Sequence, residues 1–422
     1  MIFLIAFGHT TFITFYCKWR TGAVTQESKV IILTASYGEG HNQVSLALKT
    51  ALERRGIHAV KIIDLFHLSS PPLDRLVRLL YKYSATLSIG NLNYYGLAYY
   101  WTRCLPHDHR LAQWMNSWGK ATLLKLIAEE KPQMLVYTFP FGPVPDDRKN
   151  AAKLATAAVV TDYSVHNRWL YSRADHYYVP TFEVKQYLVE QGLVADRITV
   201  SGIPVREAYY AQEKAGGDES ANEAVRGLNT GGSNVVLIMA EMCITTSQLN
   251  GIIRKLLSIE NICIHVVCGW QKRREQRLNK VWGTHSRIRI EGYTDELHRL
   301  MKQAYCLVTK AGAITLTEAA HAGIPLILFK PFPGQEKENA VYFEKKGAAL
   351  LSHTAEQLVA CVQQLVCSPS LRQAILRKQQ ALARCRASDH IVDHLLTRTR
   401  ELYNEMTQNP VLLPQIEPSL EP

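Results

Sequence analysis

The stretch CLVTKAGAITLTEA, residues 306–319, joins a short aliphatic run to a helix-forming segment through a turn that contains Gly312. A strand, a tight turn and a helix in that order form the repeating unit of parallel α/β domains. The small residues and free backbone N–H groups of such a helix start can hold a diphosphate. Glu318 lies about one turn into the helix, within reach of a ribose hydroxyl pair. The stretch therefore predicts a parallel sheet and a candidate nucleotide site at its edge.

The same unit recurs along the whole chain. Predicted strands of the first half are Val30–Thr34, Ala59–Ile63, Met134–Thr138, Ala158–Thr161, His176–Val179 and Ile198–Ser201. Those of the second half are Val235–Met239, Cys263–Cys268, Arg287–Glu291, Cys306–Thr309, Pro325–Phe329 and Ala348–Leu351. Strands separated by helices pair in parallel through right-handed crossovers. The sequence thus predicts an α/β fold of two doubly wound parallel-sheet domains that face a cleft.

Composition shifts set the predicted domain boundaries. The stretches AGGDES and NTGGSN, at 215–220 and 229–234, are polar and rich in glycine, as surface linkers are. We assign an apolar extension to 1–24, an N-terminal domain to 25–205, a linker to 206–234, a C-terminal domain to 235–400 and a tail to 401–422.

Composition also excludes several classes of protein. The chain has 422 residues, of which 47% are hydrophobic and 20% charged, values that exclude a disordered tail and a multi-span membrane protein. A net charge of +11 favours an anionic partner. The nine cysteines are scattered without a C-x-x-C pair, which indicates reduced thiols in a cytosolic protein. Residues 1–17 lack a signal-peptide pattern and suit either a weak membrane-surface anchor or an over-called start or extra strand.

A second glycine turn follows the first predicted strand. Gly38, Glu39 and Gly40 precede His41 and a helix. Glycines at such a turn let the backbone approach a ligand, and the positive potential of a helix start disfavours a protonated imidazole. His41 is therefore a candidate general base. The alternative is a histidine that only closes the turn.

Polar side chains also follow the strand predicted at Pro325–Phe329. A proline-containing turn leads to Gln335, Glu336 and Asn339, whose side chains can hydrogen-bond sugar hydroxyls. Glu318 and the Gln335 group follow two successive strands. Both therefore fall at the ligand-binding edge of the sheet. The alternative is a solvated turn with an acidic helix start.

Motifs along most of the chain resemble those of a known family. They are ILTASYGEGH at 32–41, VVTDY at 159–163, DHYYV at 175–179, GIPV at 202–205, GYTDEL at 292–297 and the block from Thr309 through PGQEKENA to Gly347. The pattern resembles the monogalactosyldiacylglycerol synthases and the processive diacylglycerol glucosyltransferases, which are similar to the MurG-like glycosyltransferases of GT-B architecture. The resemblance implies inverting transfer of a hexose from UDP-glucose or UDP-galactose to diacylglycerol or its glycosylated product.

The resemblance also makes 25–205 the acceptor-side domain and 235–400 the nucleotide-sugar-binding domain, and it implies roles for individual residues. His41 becomes the acceptor base, and Asp162 joins Gly38, Glu39 and Gly40 on the acceptor side. Donor-binding residues are Gly292 and Tyr293 against the uracil, Gly312, Ala313, Ile314 and Thr315 at the phosphate turn, Glu318 on the ribose, and Gln335, Glu336 and Asn339 on the sugar. The chain contains no D-x-D motif, so we expect neither a metal nor another cofactor.

Two turns depart from the family's pattern. Ala311 and Ala313 stand where the family usually has Pro and Gly, and Glu241 lies in a turn where the family has glycines. A positive φ at Ala313 would cost about 1 kcal/mol relative to glycine, and Glu241 would repel a diphosphate. These departures motivate two alternatives: a non-catalytic UDP-sugar sensor or scaffold, and a related UDP-sugar enzyme with another acceptor.

The region from Pro72 to Arg103 is the candidate lipid-facing surface. Its leucines and valine at 73, 76, 77, 79 and 80 alternate with Arg75, Arg78 and Lys82, and Tyr81, Tyr83, Tyr94, Tyr95, Tyr99, Tyr100 and Trp101 follow. This pattern suits an anionic membrane surface and a peripheral protein on the cytoplasmic face of the cell membrane. A core-facing helix with a basic outer face is the alternative. Nucleic acid is not expected as a partner, since no nucleic-acid-binding module accompanies the charge.

Overall fold

The computed structural model describes residues 29–35, 39–84, 94–103, 105, 109–110, 114, 117–142, 154–210, 233–242, 244–383 and 386–408. Several sequence predictions lie outside these residues. They are the extension 1–24, Gly38, most of the linker 206–234 and the end of the tail.

The first sheet lies between Val30 and Val200. Its strands are β1 (Val30–Thr34), β2 (Val60–Asp64), β3 (Met134–Tyr137), β4 (Ala155–Val159), β5 (His176–Val179) and β6 (Ile198–Val200). They pair in parallel in the order β2-β1-β3-β4-β5-β6. Residues of β1 and β4 are buried on both faces, as expected where helices cover a parallel sheet on two sides.

The second sheet lies between Asn234 and Ser352. Its strands are β7 (Asn234–Met239), β8 (Ile262–Val267), β9 (Ile288–Glu291), β10 (Cys306–Thr309), β11 (Leu326–Phe329) and β12 (Ala349–Ser352). They pair in parallel in the order β12-β11-β10-β7-β8-β9. The prediction of two parallel-sheet α/β domains is confirmed.

Helices connect the strands of both sheets. In the first half they are α1 (Glu39–Arg54), α2 (Leu65–Ser69), α3 (Pro71–Ser84), α4 (Tyr94–Arg103), α5 (Lys120–Glu130), α6 (Arg168–Tyr171) and α7 (Phe182–Glu190). In the second half they are α8 (Thr246–Leu256), α9 (Lys272–Trp282), α10 (Leu297–Gln303), α11 (Ala313–Ala322), α12 (Gln335–Lys345), α13 (Ala355–Cys367), α14 (Pro369–Leu382) and α15 (Ala387–Gln408). None of the helices in the described residues is long and apolar enough to cross a membrane.

One strand differs from its predicted bounds by more than one residue, and one helix crosses a predicted domain boundary. Strand β4 begins at Ala155, three residues before the predicted start, because Ala155 pairs with Met134 in the sheet. Helix α15, which the predicted boundaries divide between the second domain and the tail, packs on α1 of the first half. Its Ile391 and Val392 are buried in the same core cluster as Leu48. The apolar face of this last helix therefore joins the two halves of the chain.

Ion pairs also join α15 to the region around the end of α1. The guanidinium of Arg55 bonds Asp393 Oδ1 at 2.6 Å and Asp389 Oδ1 at 2.6 Å, and these carboxylates raise the pKa of Arg55. Arg54 also bonds Asp389, at 2.7 Å, and contacts Glu207 at 3.0 Å. Helix α15 is thus fixed to α1 by both apolar and charged contacts.

Candidate active site

The two sheets each have a switch point, where the strand order reverses. In the first sheet it lies between β1 and β3, and in the second between β7 and β10. Ligands of open α/β sheets bind in the crevice beyond the carboxyl ends of the strands at such points. His41 follows β1, and the Gly312 turn follows β10. Topology therefore places both predicted turns at ligand-binding positions.

The imidazole of His41 lies in the first turn of α1 with a defined tautomer. Its Nδ1 is 2.8 Å from the carbonyl oxygen of Thr138, and a carbonyl only accepts, so Nδ1 carries the hydrogen. Burial lowers the pKa of His41 to about 4, although the Thr138 hydrogen bond opposes that shift. At neutral pH the ring is therefore uncharged, and Nε2 holds a lone pair that can accept a proton.

Asp162 occupies a buried polar cluster beside His41. Thr161 connects the two, because its Oγ1 lies 3.2 Å from His41 Nδ1 and its side chain also bonds Asp162. Burial raises the pKa of Asp162 to about 7, against hydrogen bonds from Asn339, Gln335 and Thr161 that lower it. Burial thus stabilises the neutral form of Asp162 relative to a carboxyl in water.

Asn339 links this cluster to the second half of the chain. Its Nδ2 donates to Asp162 Oδ1 and to the carbonyl of Ala311, each at 3.3 Å, and its Oδ1 accepts from Tyr163 N at 3.1 Å. Asn339 is almost fully buried. In this structure its amide therefore joins the two domains, and Gln335 contributes a further bond to Asp162.

The phosphate turn begins α11 with unstrained backbone geometry. Gly312 is the N-cap, with φ −70° and ψ 126°, and Ala313 is the first helical residue. Positive φ does not occur at Ala313, so the cost predicted for such a conformation does not arise. Thr315 is half-buried in the first turn of the same helix.

Gly40 and Ile314 bring the two turns together. A Cβ added to Gly40 would lie 3.0 Å from Ile314 Cγ1, closer than side chains normally pack. Behind this contact, the hydroxyls of Tyr163 and Thr317 lie 2.8 Å apart. The His41 turn and the start of α11 therefore pack directly against each other at this point.

Glu318 is a buried carboxyl with one cationic neighbour. Arg206 Nε lies 3.7 Å from Glu318 Oε1. Burial raises the pKa of Glu318 to about 7, and Arg206 opposes the rise. Arg206 follows the GIPV motif directly and its guanidinium also bonds the Tyr209 hydroxyl at 3.3 Å. The sequence analysis did not identify Arg206, although its position directly after the GIPV motif could have indicated it.

Glu336 lies at the start of α12 and connects to the phosphate turn. Lys310 Nζ is 3.0 Å from Glu336 Oε1, and Phe332 N donates to Glu336 Oε2 at 3.3 Å. The turn that precedes α12 depends on Gly334, whose φ of 101° and ψ of −137° only glycine adopts readily. The Lys310–Glu336 ion pair thus connects two predicted donor-binding segments, the Gly312 turn and the start of α12.

Gly292 and Tyr293 lie at the carboxyl end of β9, farther along the same sheet edge. A Cβ on Gly292 would lie 2.7 Å from Glu275 Oε2, so a larger residue there would displace the Glu275 carboxylate. The Tyr293 hydroxyl donates to Asp295 Oδ1 at 2.6 Å, which raises the pKa of Tyr293. Glu39 adds to this rise and Arg206 opposes it. Tyr293 therefore lies within electrostatic reach of both Glu39 and Arg206.

The structure brings most of the predicted residues to one cleft. The His41 turn, Asp162, Gln335, Glu336 and Asn339 form one connected group with Lys310 and the start of α11, while Glu318 reaches Tyr293 through Arg206. In the described part of the chain, no group of three or more His, Cys, Asp or Glu side chains could hold a metal ion.

Comparisons with known proteins cover most of the chain. Residues 41–205 match the monogalactosyldiacylglycerol (MGDG) synthase family, and residues 230–390 match the glycosyltransferase family 28 C-terminal domain. The processive diacylglycerol β-glucosyltransferase of Bacillus thuringiensis (strain Al Hakam) is 32% identical over 372 residues, covering 87% of this chain and 93% of the relative. The chain belongs to the diacylglycerol glycosyltransferase family.

Other similarities agree with membership of the diacylglycerol glycosyltransferase family. The relative named processive diacylglycerol β-glucosyltransferase in Bacillus cytotoxicus is 31% identical over 391 residues, or 92% of this chain and 98% of that one. Among solved structures, Acinetobacter baumannii MurG covers 87% of this chain and 99% of its own, with a TM-score of 0.54 and 16% identity. A putative UDP-N-acetylglucosamine 2-epimerase from Listeria monocytogenes covers 88% and 97%, with a TM-score of 0.59 and 13% identity. These two likenesses show the fold alone, and the predicted GT-B architecture is confirmed.

The structure also locates the second departure of this diacylglycerol glycosyltransferase from its family's pattern. The exposed side chain of Glu241 follows β7, and its carboxylate lies against Gly269 at the end of β8. Strand β8 is on the side of β7 away from β10, which carries the Gly312 turn. Glu241 therefore points away from the candidate diphosphate position.

Proposed function

We propose that the protein transfers a hexose, with inversion, from UDP-glucose or UDP-galactose to diacylglycerol or its glycosylated product. The observation that carries the proposal is the neutral His41, whose Nδ1 is held by Thr138 and whose turn lies against the start of α11. The names of the relatives supply the acceptor class, because both act on diacylglycerol.

His41 removes the acceptor proton. Its Nε2 takes the proton from the attacking hydroxyl, whose oxygen forms the new bond to the anomeric carbon. The bond from that carbon to the UDP oxygen breaks on the opposite face, so the configuration inverts. Asp162, which Thr161 links to Nδ1, supplies negative potential that stabilises the imidazolium formed in this step.

The leaving diphosphate is stabilised at the other side of the cleft. The backbone N–H groups at the start of α11 point towards it, and Lys310 adds a positive charge nearby. Because these groups supply the positive charge, we propose that transfer needs neither a metal nor another cofactor.

The donor's ribose and sugar bind on either side of the diphosphate. Glu318 accepts hydrogen bonds from the ribose hydroxyls. Arg206 lowers the pKa of Glu318 and so keeps part of the Glu318 carboxyl population ionised. Gln335, Glu336 and Asn339 bind the sugar. Since Gln335 and Asn339 bond Asp162 in this structure, binding of the sugar exchanges these bonds for new ones.

An exposed apolar surface next to the cleft supports a membrane-bound acceptor. Leu76 and Leu79 on α3 are each 52% exposed, and Trp101 on α4 is 65% exposed. The exposed Arg75 provides a positive charge beside them. Helix α4 connects directly to the donor side, because Arg103 pairs with Glu338 at 3.2 Å. We propose that this surface lies on the anionic, cytoplasmic face of the cell membrane.

The double substitution Leu76→Glu, Leu79→Glu should weaken membrane binding about tenfold or more, because two apolar contacts become two charges repelled by anionic lipid. Co-sedimentation with vesicles of phosphatidylcholine and phosphatidylglycerol measures this binding. Val281→Glu, at an exposed position of α9, is the control and should bind as the wild type does. Unchanged sedimentation of the double variant would exclude this surface.

Transfer of label into lipid tests the proposed function. The purified protein is mixed with labelled UDP-glucose or UDP-galactose and vesicles that contain diacylglycerol, with and without EDTA. We expect labelled glycolipid from at least one donor and the same rate with EDTA. UDP binding without glycolipid from either donor would instead support a UDP-sugar sensor.

A further inference from the structure

Two exposed aromatic rings stack on each other at the edge of the second sheet. The ring centroids of Trp270 and Tyr293 are 4.1 Å apart and their planes differ by 20°. Trp270 is 66% exposed and Tyr293 is 50% exposed. Large aromatic side chains held parallel while still open to solvent offer a flat apolar face to a further ring.

The pair lies on the ligand-binding edge of the sheet. Trp270 follows β8 and Tyr293 follows β9, so both lie at carboxyl ends of parallel strands, as the Gly312 turn does. Arg206 is 3.7 Å from Glu318 and also acts electrostatically on Tyr293. Glu318, Arg206 and the aromatic pair therefore mark a path along this edge, away from the phosphate turn, and Arg206 acts electrostatically on both of its ends.

We propose that Trp270 is a positioning residue for the pyrimidine base of the donor, a role that rests on the proposed function. With the ribose at Glu318, the base extends along this path and stacks on the face of Tyr293 that Trp270 leaves open. The base cannot enter between the two rings, because a spacing of 4.1 Å is already that of direct stacking. Trp270 instead supports Tyr293 from behind and fixes the plane of its ring.

Other contacts around Tyr293 agree with this role. The hydrogen bond to Asp295 fixes the end of the tyrosine, while stacking on Trp270 fixes its plane. At the neighbouring Gly292, Glu275 fills the space that a Cβ would need. A ring held at two points loses little freedom when a base stacks on it, which favours binding.

Calorimetric binding of three ligands tests the proposal. Base-to-aromatic contacts predict about tenfold weaker binding of UDP and uridine by Trp270→Ala, with unchanged binding of pyrophosphate. In transfer assays the KM for the donor should rise by the same factor, while kcat at saturating donor stays constant. Trp270→Phe retains an aromatic ring and should restore most of the affinity.

Two further variants serve as controls. Trp114→Ala removes a tryptophan that is 55% exposed in the first half of the chain, and it should bind UDP as the wild type does. Trp270→Leu keeps an apolar side chain without a ring, and it decides the question if the alanine variant does not fold. The leucine variant should also bind UDP about tenfold more weakly.

If the alanine and leucine variants both bound UDP as tightly as the wild type, the role of Trp270 would be overturned. The proposed function would remain intact. Equal losses for UDP and pyrophosphate would also overturn it, since the residue would then only maintain the domain. If the wild-type protein itself bound no UDP, the proposed function would fail instead.

Discussion

Replacing His41 with alanine should lower kcat for glycolipid formation by about 10²–10⁴-fold and leave UDP affinity nearly unchanged. In the proposed mechanism Nε2 of His41 takes the acceptor proton, whereas the donor contacts the opposite side of the cleft. Product formation at saturating donor, together with calorimetric binding of UDP, separates the two effects. His58→Ala, at an exposed position after α1, is the matched control and should retain full activity.

The protonation state of His41 provides an independent check of the same residue. Because the folded pKa is lowered from 6.5 to about 4, the ring stays neutral as the pH falls from 7 to 5. Nitrogen-resolved NMR should show hydrogen on Nδ1, which donates to Thr138, and none on Nε2. An imidazole that titrates near pH 6.5 would contradict the effect of burial on His41, and a fully active alanine variant would remove His41 as the base.

Replacing Glu318 with glutamine should have opposite effects on donor binding and on stability. Loss of charged hydrogen bonds to the ribose predicts UDP affinity lower by about 10–100-fold. Between pH 4.5 and about 7 the folded protein retains a proton that the unfolded chain has released. The free energy of unfolding contributed by Glu318 therefore falls as the pH rises through this interval. At pH 8 the glutamine variant should be more stable than the wild type, by at most about 3 kcal/mol.

Urea unfolding at pH 4.5 and pH 8, together with calorimetry of UDP binding, measures both effects of Glu318→Gln. The gain in stability should be seen at pH 8 and nearly vanish at the lower pH. Glu344→Gln, at an exposed position of α12, is the control and should change neither quantity. A stability difference independent of pH would show that the Glu318 carboxyl does not titrate as the structure indicates. Unchanged UDP affinity would remove Glu318 from the ribose site.

Local sequence predicted the strands well because each strand of a buried parallel sheet is a short apolar run. Strand β4 was placed three residues late, since Ala155 has little strand preference and is held there by pairing with Met134. The order of strands, which places His41 and Gly312 at switch points, depends on contacts distant in sequence. Sequence patterns predicted the elements and their parallel pairing but not the order of the strands in each sheet.

The site shows the same division between local and distant information. His41 and Glu318 were recognisable because each follows a glycine turn after a strand. The tautomer of His41, however, depends on Thr138, which is 97 residues away. The bonds of Asn339 to Asp162 and Ala311, and the stacking of Trp270 on Tyr293, likewise need the folded chain.

The configuration of the product tests the central claim most directly. The glycolipid formed from UDP-glucose or UDP-galactose, whose sugars are α-linked to the diphosphate, is isolated and its anomeric proton is examined by NMR. Direct displacement with His41 as base predicts a β-linked hexosyl diacylglycerol with the large coupling of a β-anomer. An α-linked product, or no glycolipid from either donor, would contradict it.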